Sequence, residues 1–360
     1  MKILFFGDLC PTDENMDFFL KENMDVLFGD VLSLTKDKEY IFLNLECAIT
    51  ESPHSIKKIG PCLKAPYQTA KIIKNLGVTL VGLSNNHVFD YGKKGAEDTI
   101  KALDDSQIEH TGFGMNYEDS RKNFVMKNRN EKVAVLAVCE HEYSYALADR
   151  MGSRPFDPYD TLDDIREAKR NAEKVVVIYH GGKEYSPYPS PRLHKQCHAM
   201  ATAGADVILC QHSHCIGGYE KYKHSHILYG QGNFLFTRHN HPIDIRKNAL
   251  AVVYDTISNE MAFTPLITTK TGVTLAKDEQ REHILSLFKT YTLSLQDGTW
   301  KQGWEEFCRN EKPNYLKIFR QENTEDTPGF DAMFAHYLDC EAHTDVLKES
   351  FPSSHLTNEI

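Results

Sequence analysis

The chain has 360 residues, 41% of them hydrophobic and 26% charged, the balance of an ordinary globular protein with one large domain or two. A formal charge of −10 argues against a general nucleic-acid binder, though not against a local basic patch for an anionic substrate. No stretch approaches the roughly 18–20 apolar residues of a membrane helix. Met1 feeds straight into a strand pattern instead of a secretory leader. The nine cysteines are odd in number and contain no C-x-x-C, which suits reduced thiols. The expectation is a cytoplasmic protein.

Short β-branched runs bounded by glycine and polar residues read as buried strands, and each ends in a polar cluster. Met1–Phe6 runs into Gly7-Asp8. A helical stretch is expected within 18–34. Tyr40–Leu43 runs into Asn44-Leu45-Glu46, and a helix is expected over 65–76. Val78–Leu83 runs into Ser84-Asn85-Asn86-His87 and Asp90-Tyr91-Gly92. Lys93–Asp105 places Ala96, Ile100 and Leu103 on one helical face. Val133–Val138 is a further strand, followed by a helix over 161–172. Val175–Ile178 runs into His180-Gly181-Gly182-Lys183-Glu184-Tyr185. A helix over 191–202 precedes Val207–Leu209, which ends in Gln211-His212-Ser213-His214. After Cys215 come short strands near 218–222, 226–229 and 250–256, with Gly230-Gln231-Gly232-Asn233-Phe234 between them. Open α/β folds collect ligands at the C-terminal ends of strands. Here those ends deliver Asp, Glu, Asn-His, His and His-x-His, a mixed oxygen and nitrogen set suited to divalent metals.

Beyond about residue 272 the pattern becomes helical and aromatic. Ile284, Leu287, Phe288, Tyr291 and Leu295 form a stripe, with Trp300 and Trp304 one turn apart. This predicts a main domain over 1–272 and a helical extension over 273–360 packed on it, with Trp300 and Trp304 buried and the last ten residues frayed.

The words Gly7-Asp8, Asn44-Leu45-Glu46, Asn85-Asn86-His87 with Asp90-Tyr91-Gly92, His180-x-Gly-x-Glu184-Tyr185, His212-x-His214 and Gly232-Asn233-Phe234 stand in one order over about residues 1–270. In this the chain resembles the poly-γ-glutamate capsule-synthesis (CapA-type) family, within the calcineurin-like metallophosphoesterases. The resemblance implies a four-layer α/β/β/α sandwich and one or two divalent ions, Mn, Fe, Zn or Mg. It implies Asp8, Glu46, Asn86, His180, His212 and His214 as metal ligands. His87 would be the general acid, oriented by Asp90. Asn44, Glu184, Tyr185 and Asn233 would contact substrate or support the ligands. Phosphoesterases of the full pattern carry Asp-x-His at the first strand, where this chain has Asp8-Leu9-Cys10. Cys10 is either a thiolate ligand or a buried filler.

Two functions follow. One is a metal-dependent hydrolase acting on a phosphoester, or on an amide or ester of a surface polymer, in capsule biosynthesis. The other is a non-catalytic metal-containing component that grips an acidic polymer. The expected partner is an anionic small molecule or polymer, with no nucleic acid. Arg238, Lys183 and Arg192 are candidate anion contacts, and His224, His226, His239 and His241 read as loop residues near the cleft. No G-x-S-x-G elbow, phosphate-binding P-loop or dinucleotide fingerprint is present, so serine-hydrolase and nucleotide-driven chemistry have no support.

Overall fold

Strand Lys2–Leu9 is buried along all but its first residue and is the centre of the first sheet. The computed structural model describes residues 1–237, 244–319 and 330–352. Arg238, His239 and His241 lie outside that range, as do residues 353–360. The first sheet runs in the order Val273–Leu275, Glu260–Thr268, Asn248–Asp255, Lys2–Leu9, Tyr40–Leu45, Leu80–Gly82, Glu109–Thr111, and Asn233–Leu235 pairs beside the end of Lys2–Leu9. The second runs Tyr219–Tyr222, Ser225–Leu228, Val207–Gln211, Lys174–His180, Lys132–Cys139, Phe124–Lys127. The first sheet is parallel from Lys2–Leu9 out to Glu109–Thr111 and antiparallel from Lys2–Leu9 out to Val273–Leu275, whereas the second has a parallel centre and antiparallel edges.

Alternation along the strands makes the layers. Val176 and Ile178 face Ile3, Phe5, Phe42 and Leu80 across the space between the sheets. Val175, Val177 and Tyr179 point the other way, onto Ile165, Leu193, Cys197 and Met200 of two helices. The far face of the first sheet, with Leu4, Phe6, Leu43 and Val81, packs on Phe19, Phe28, Ile72, Ile73 and Leu103. The result is a four-layer α/β/β/α sandwich. Each fully buried Val, Leu, Ile or Phe in these layers contributes about 1.5–3 kcal/mol relative to exposure.

Helix ends follow local chemistry. Helix Pro191–Ala203 starts where the Ser190 side chain accepts from Leu193 N–H with proline at the first helical position, and it stops at Gly204. The helical stretch expected within 18–34 is Met24–Phe28, which stands between Met16–Leu20 and a 3-10 segment, Gly29–Thr35. Asn23 caps this helix and Gly29, at φ 41°, ends it. The helix expected from 65 begins only at Gln68, because Ala65 pairs with Ile49 and precedes Pro66. The strand Val273–Leu275 completes the first sheet, beyond the boundary drawn at 272, and helix Asp278–Asp297 follows.

Helices Asp278–Asp297, Trp300–Phe319, Phe330–Asp339 and Glu341–Ser350 form the C-terminal part. Ile284 joins the inter-sheet layer and Trp300 the outer layer of the second sheet. Trp304 packs with Cys308, Tyr315 and Val346. Trp300 and Trp304 are both buried. Polar ties fasten this part to the segment after Lys132–Cys139. Glu341 accepts from the His141 backbone N–H at 2.8 Å, and Glu140 accepts from Ala342 N–H at 3.1 Å. Arg192 donates to Asp345 at 2.8 Å and to Glu140 at 2.6 Å.

Candidate metal centre

Strand register assembles the site. Asp8 is paired with Asn44 on one side and Asn233 on the other, and Asn44 with Gly82. In the second sheet His180 is paired with Gln211, the residue before His212. Gly7 permits this, since a Cβ there would lie 2.1 Å from the Gly232 carbonyl oxygen. His212 and His214 both take positive φ, 83° and 54°. Such backbone is uncommon outside glycine and costs about 1–3 kcal/mol per residue, a strain that tends to collect at functional sites.

Four donor atoms meet around His180. Its Nε2 lies 3.1 Å from Asn86 Oδ1, 3.2 Å from His212 Nδ1 and 3.5 Å from Glu46 Oε1. A second group, Asp8, Glu46 and His214, shares Glu46 with the first, and in each group the carboxylate and histidine ligand atoms lie within 4.8 Å of one another. His214 Nδ1 is 3.9 Å from Asp8 Oδ2 and 2.8 Å from Asn233 Oδ1. Asn44 donates to Asp8 Oδ1 at 2.7 Å, and His212 N–H reaches Asp8 Oδ2 at 3.2 Å. The structure thus brings together all six candidate ligands, with Asn44 and Asn233 bonded to two of them.

The electrostatics call for a cation. Glu46 is fully buried, and neither of its carboxylate oxygens has a hydrogen-bond partner among the described residues. Burying a lone carboxylate costs several kcal/mol unless a charge compensates it. Burial, and then the Glu46 charge, push the Asp8 carboxyl above its ordinary range. Burial brings the His180 imidazole down to about 3, leaving it neutral and able to ligate. At His214, burial favours the neutral ring, but Glu46 and Glu184 outweigh it and the net shift is upward. Buried carboxylates and imidazoles, with an amide oxygen in the group around His180, fit a borderline divalent ion.

His87 stands beside this centre without joining either group. Asp90 Oδ2 lies 2.7 Å from its Nδ1, and Lys58 donates to Asp90 Oδ1 at 2.6 Å. Burial raises the Asp90 carboxyl, but His87 and Lys58 outweigh it, so Asp90 stays ionised below the usual range. Asn85 accepts from the backbone N–H of His87 and Val88, both at 3.0 Å, which fixes the turn. Glu184 is half-buried, 3.6 Å from His214 Nε2, and the Tyr185 ring lies 6.2 Å from the His214 ring. Cys10 is buried in the outer core of the first sheet, with its thiol 3.3 Å from the Pro11 carbonyl oxygen. The carboxylate–histidine group around Asp8 does not include it.

Lys58, Glu142 and His336 also belong to the site, and the sequence reading did not single them out. Glu142 lies 3.7 Å from His212 Nε2 and 3.8 Å from His336 Nε2. It follows the end of the Lys132–Cys139 strand, so the strand-end rule that picked the others applies to it. Nothing in the sequence marks Lys58 or His336. Lys183, a half-buried neighbour of Glu184, lies at the rim.

A sandwich of two facing sheets with a buried carboxylate–histidine centre at their strand ends defines the class. Residues 2–238 match the family described as bacterial capsule synthesis protein PGA_cap, and the chain belongs to that family. It is 36% identical over 240 residues to the capsule biosynthesis protein CapA of Bacillus anthracis, covering 64% of this chain and 58% of that protein. It is 29% identical over 238 residues to the PGA biosynthesis protein CapA of Bacillus subtilis, covering 64% and 62%. The chain therefore spans less than two thirds of either relative. Among solved structures, a hypothetical protein of Thermus thermophilus is similar at a TM-score of 0.46 and 14% identity, over 77% of this chain and all of that one. A 5'-nucleotidase precursor of the same species is similar at 0.43 and 12%, over 82% and 59%. At these scores the likeness carries no argument. No helix among the described residues is long and apolar enough to cross a membrane.

Proposed function

We propose that the protein is a metal-dependent hydrolase of capsule or poly-γ-glutamate biosynthesis, acting on a phosphoester or on an amide or ester of an anionic polymer. The observation that carries this is Glu46, a buried carboxylate with no hydrogen-bond partner for either oxygen among the described residues, shared by two donor groups. Asn86, His180 and His212 with Glu46 would hold one ion, and Asp8, His214 and Glu46 the other. A divalent ion there supplies Lewis acidity toward an anionic oxygen and makes a water acidic enough to attack near neutral pH. The chain's own residues do the rest. Asn44 fixes the Asp8 carboxylate. Asp90, kept ionised by Lys58, holds the His87 ring through Nδ1, so that Nε2 is the atom left to deliver a proton to a leaving group.

A panel of phosphomonoesters, phosphodiesters and γ-glutamyl polymers, assayed with Mn²⁺, Fe²⁺, Zn²⁺ and Mg²⁺, tests this reading. Metal-dependent cleavage of one class is expected. The second reading, a polymer-gripping component without turnover, is favoured by the incomplete Asp8 group, which offers two carboxylates and one imidazole. Tight binding of poly-γ-glutamate to the metal-loaded protein with no cleavage of any compound would select it.

A further inference from the structure

Arg246 lies in the 3-10 turn Asp244–Lys247, just before the strand Asn248–Asp255 and beyond the segment that matches the family. It is only 7% exposed, and its Nε and Nη1 are buried without a hydrogen-bond partner among the described residues. A buried guanidinium is ordinarily paired with a carboxylate. Here it is held by two rings, with Cζ 5.3 Å from the Tyr185 centroid and 5.6 Å from that of Phe236. Both rings also flank His214, Phe236 edge-on at 5.3 Å and Tyr185 at 6.2 Å. Ring contacts orient a guanidinium but leave its in-plane N–H groups unsatisfied. Two buried N–H donors left without partners on a planar guanidinium, fixed beside a candidate metal ligand, are what an oxyanion can satisfy.

We propose that Arg246 binds an oxyanion of the substrate, a carboxylate or a phosphate, on the His214 side of the cleft. This rests on the metal-site reading above. Tyr185 and Phe236 hold the fork in place, and Arg246 is thereby a specificity-determining residue.

The test is calorimetric titration of inorganic phosphate and of glutarate into Mn²⁺-loaded wild type, R246M and R246K. Mn²⁺ content and melting temperature are recorded for each. At least one anion should bind the wild type. R246M should weaken that binding by about 10–100-fold, the usual worth of a hydrogen bond to a charged group. R246K, which keeps the charge and loses the fork, should fall between. Loss confined to phosphate assigns the site to phosphoryl groups, and loss confined to glutarate assigns it to carboxylates. Equal affinities in wild type and R246M overturn the proposal, as does a wild type that binds neither anion. If R246M does not fold, R246K is read instead, and an unchanged affinity there overturns it. A wild type that takes up no Mn²⁺ but binds the anion through Arg246 sinks the metal reading and leaves this assignment standing.

Discussion

At the scale of single residues, Glu46 is the sharpest case, because its stability effect should change sign with metal. In stripped protein its buried carboxylate has no hydrogen-bond partner among the described residues, and Glu46→Gln should stabilise the fold by about 1–3 kcal/mol. With saturating Mn²⁺ the same change should destabilise relative to wild type, since both groups lose a shared ligand. Thermal melts in chelator and in excess Mn²⁺ check this, and a variant less stable in both conditions argues against a lone buried charge. His87→Gln should leave metal content unchanged and lower turnover by about 10²–10⁴-fold on whichever substrate the panel identifies. Metal loss in that variant would make His87 a ligand. His180 sets a pH dependence. Its folded pKa, about 3, lies below the unfolded value of 6.5, so the folded state binds the proton less well. Its contribution is fully present above pH 6.5 and drains away as the pH falls toward about 3. The melting temperature of metal-free protein should fall across that window, and His180→Asn should flatten the slope. Asp8 works against this at the acid end, because its raised pKa favours folding at low pH.

At the scale of elements, the C-terminal helices are tied to the segment carrying Glu140, His141 and Glu142, which borders the site. Trp304 sits in a small cluster of its own with Cys308, Tyr315 and Val346. Truncating it to alanine should cost about 3–5 kcal/mol, the usual loss for a buried large aromatic. The loss should be local. Hydrogen exchange should accelerate in Trp300–Phe319 and Glu341–Ser350 while the two sheets keep their protection. Uniform acceleration throughout the chain would mean that these helices and the sandwich unfold as one cooperative unit.

At the scale of the whole molecule, the site is a seam. Asp8, Asn44 and Asn233 come from the first sheet, Glu46 and Asn86 follow its strands, and His180, His212 and His214 come from the end of the second. An ion bound there joins two layers whose shared core is apolar and which meet at this end through a few hydrogen bonds, among them His212 N–H to Asp8. Binding should therefore stabilise the entire sandwich, by about 2.7 kcal/mol at a hundredfold excess over Kd. The group around His180 has four donors and the group around Asp8 has three, so metal titration of stripped protein should give two unequal steps, or one. His180→Ala should remove the tighter step. Two equal, tight steps in the wild type would require a further ligand at the Asp8 group.

Local pattern by itself determined the central strands but not Glu109–Thr111, Phe124–Lys127, Glu260–Thr268 or Val273–Leu275, because short apolar runs such as Val175–Ile178 are written in neighbouring residues while edge strands carry a weaker pattern. It also showed that polar words such as Asn44-Leu45-Glu46 and His212-Ser213-His214 stand at strand ends, where side chains leave the apolar layers. The helical stretch expected within 18–34 is there as Met24–Phe28, and the breaks at Asn23 and Gly29 that bound it, like Pro66 before the next helix, are the kind of signal a sequence carries. Only the tertiary structure decided that Asp8 pairs with both Asn44 and Asn233, and that His180 faces Asn86 from the opposite sheet. Those contacts join residues far apart in the chain, and strand order and register set them, not propensity. The same holds for Lys58, His336 and Arg246. Each is an ordinary charged or polar residue in the sequence, and its meaning comes from the buried atoms that folding places around it.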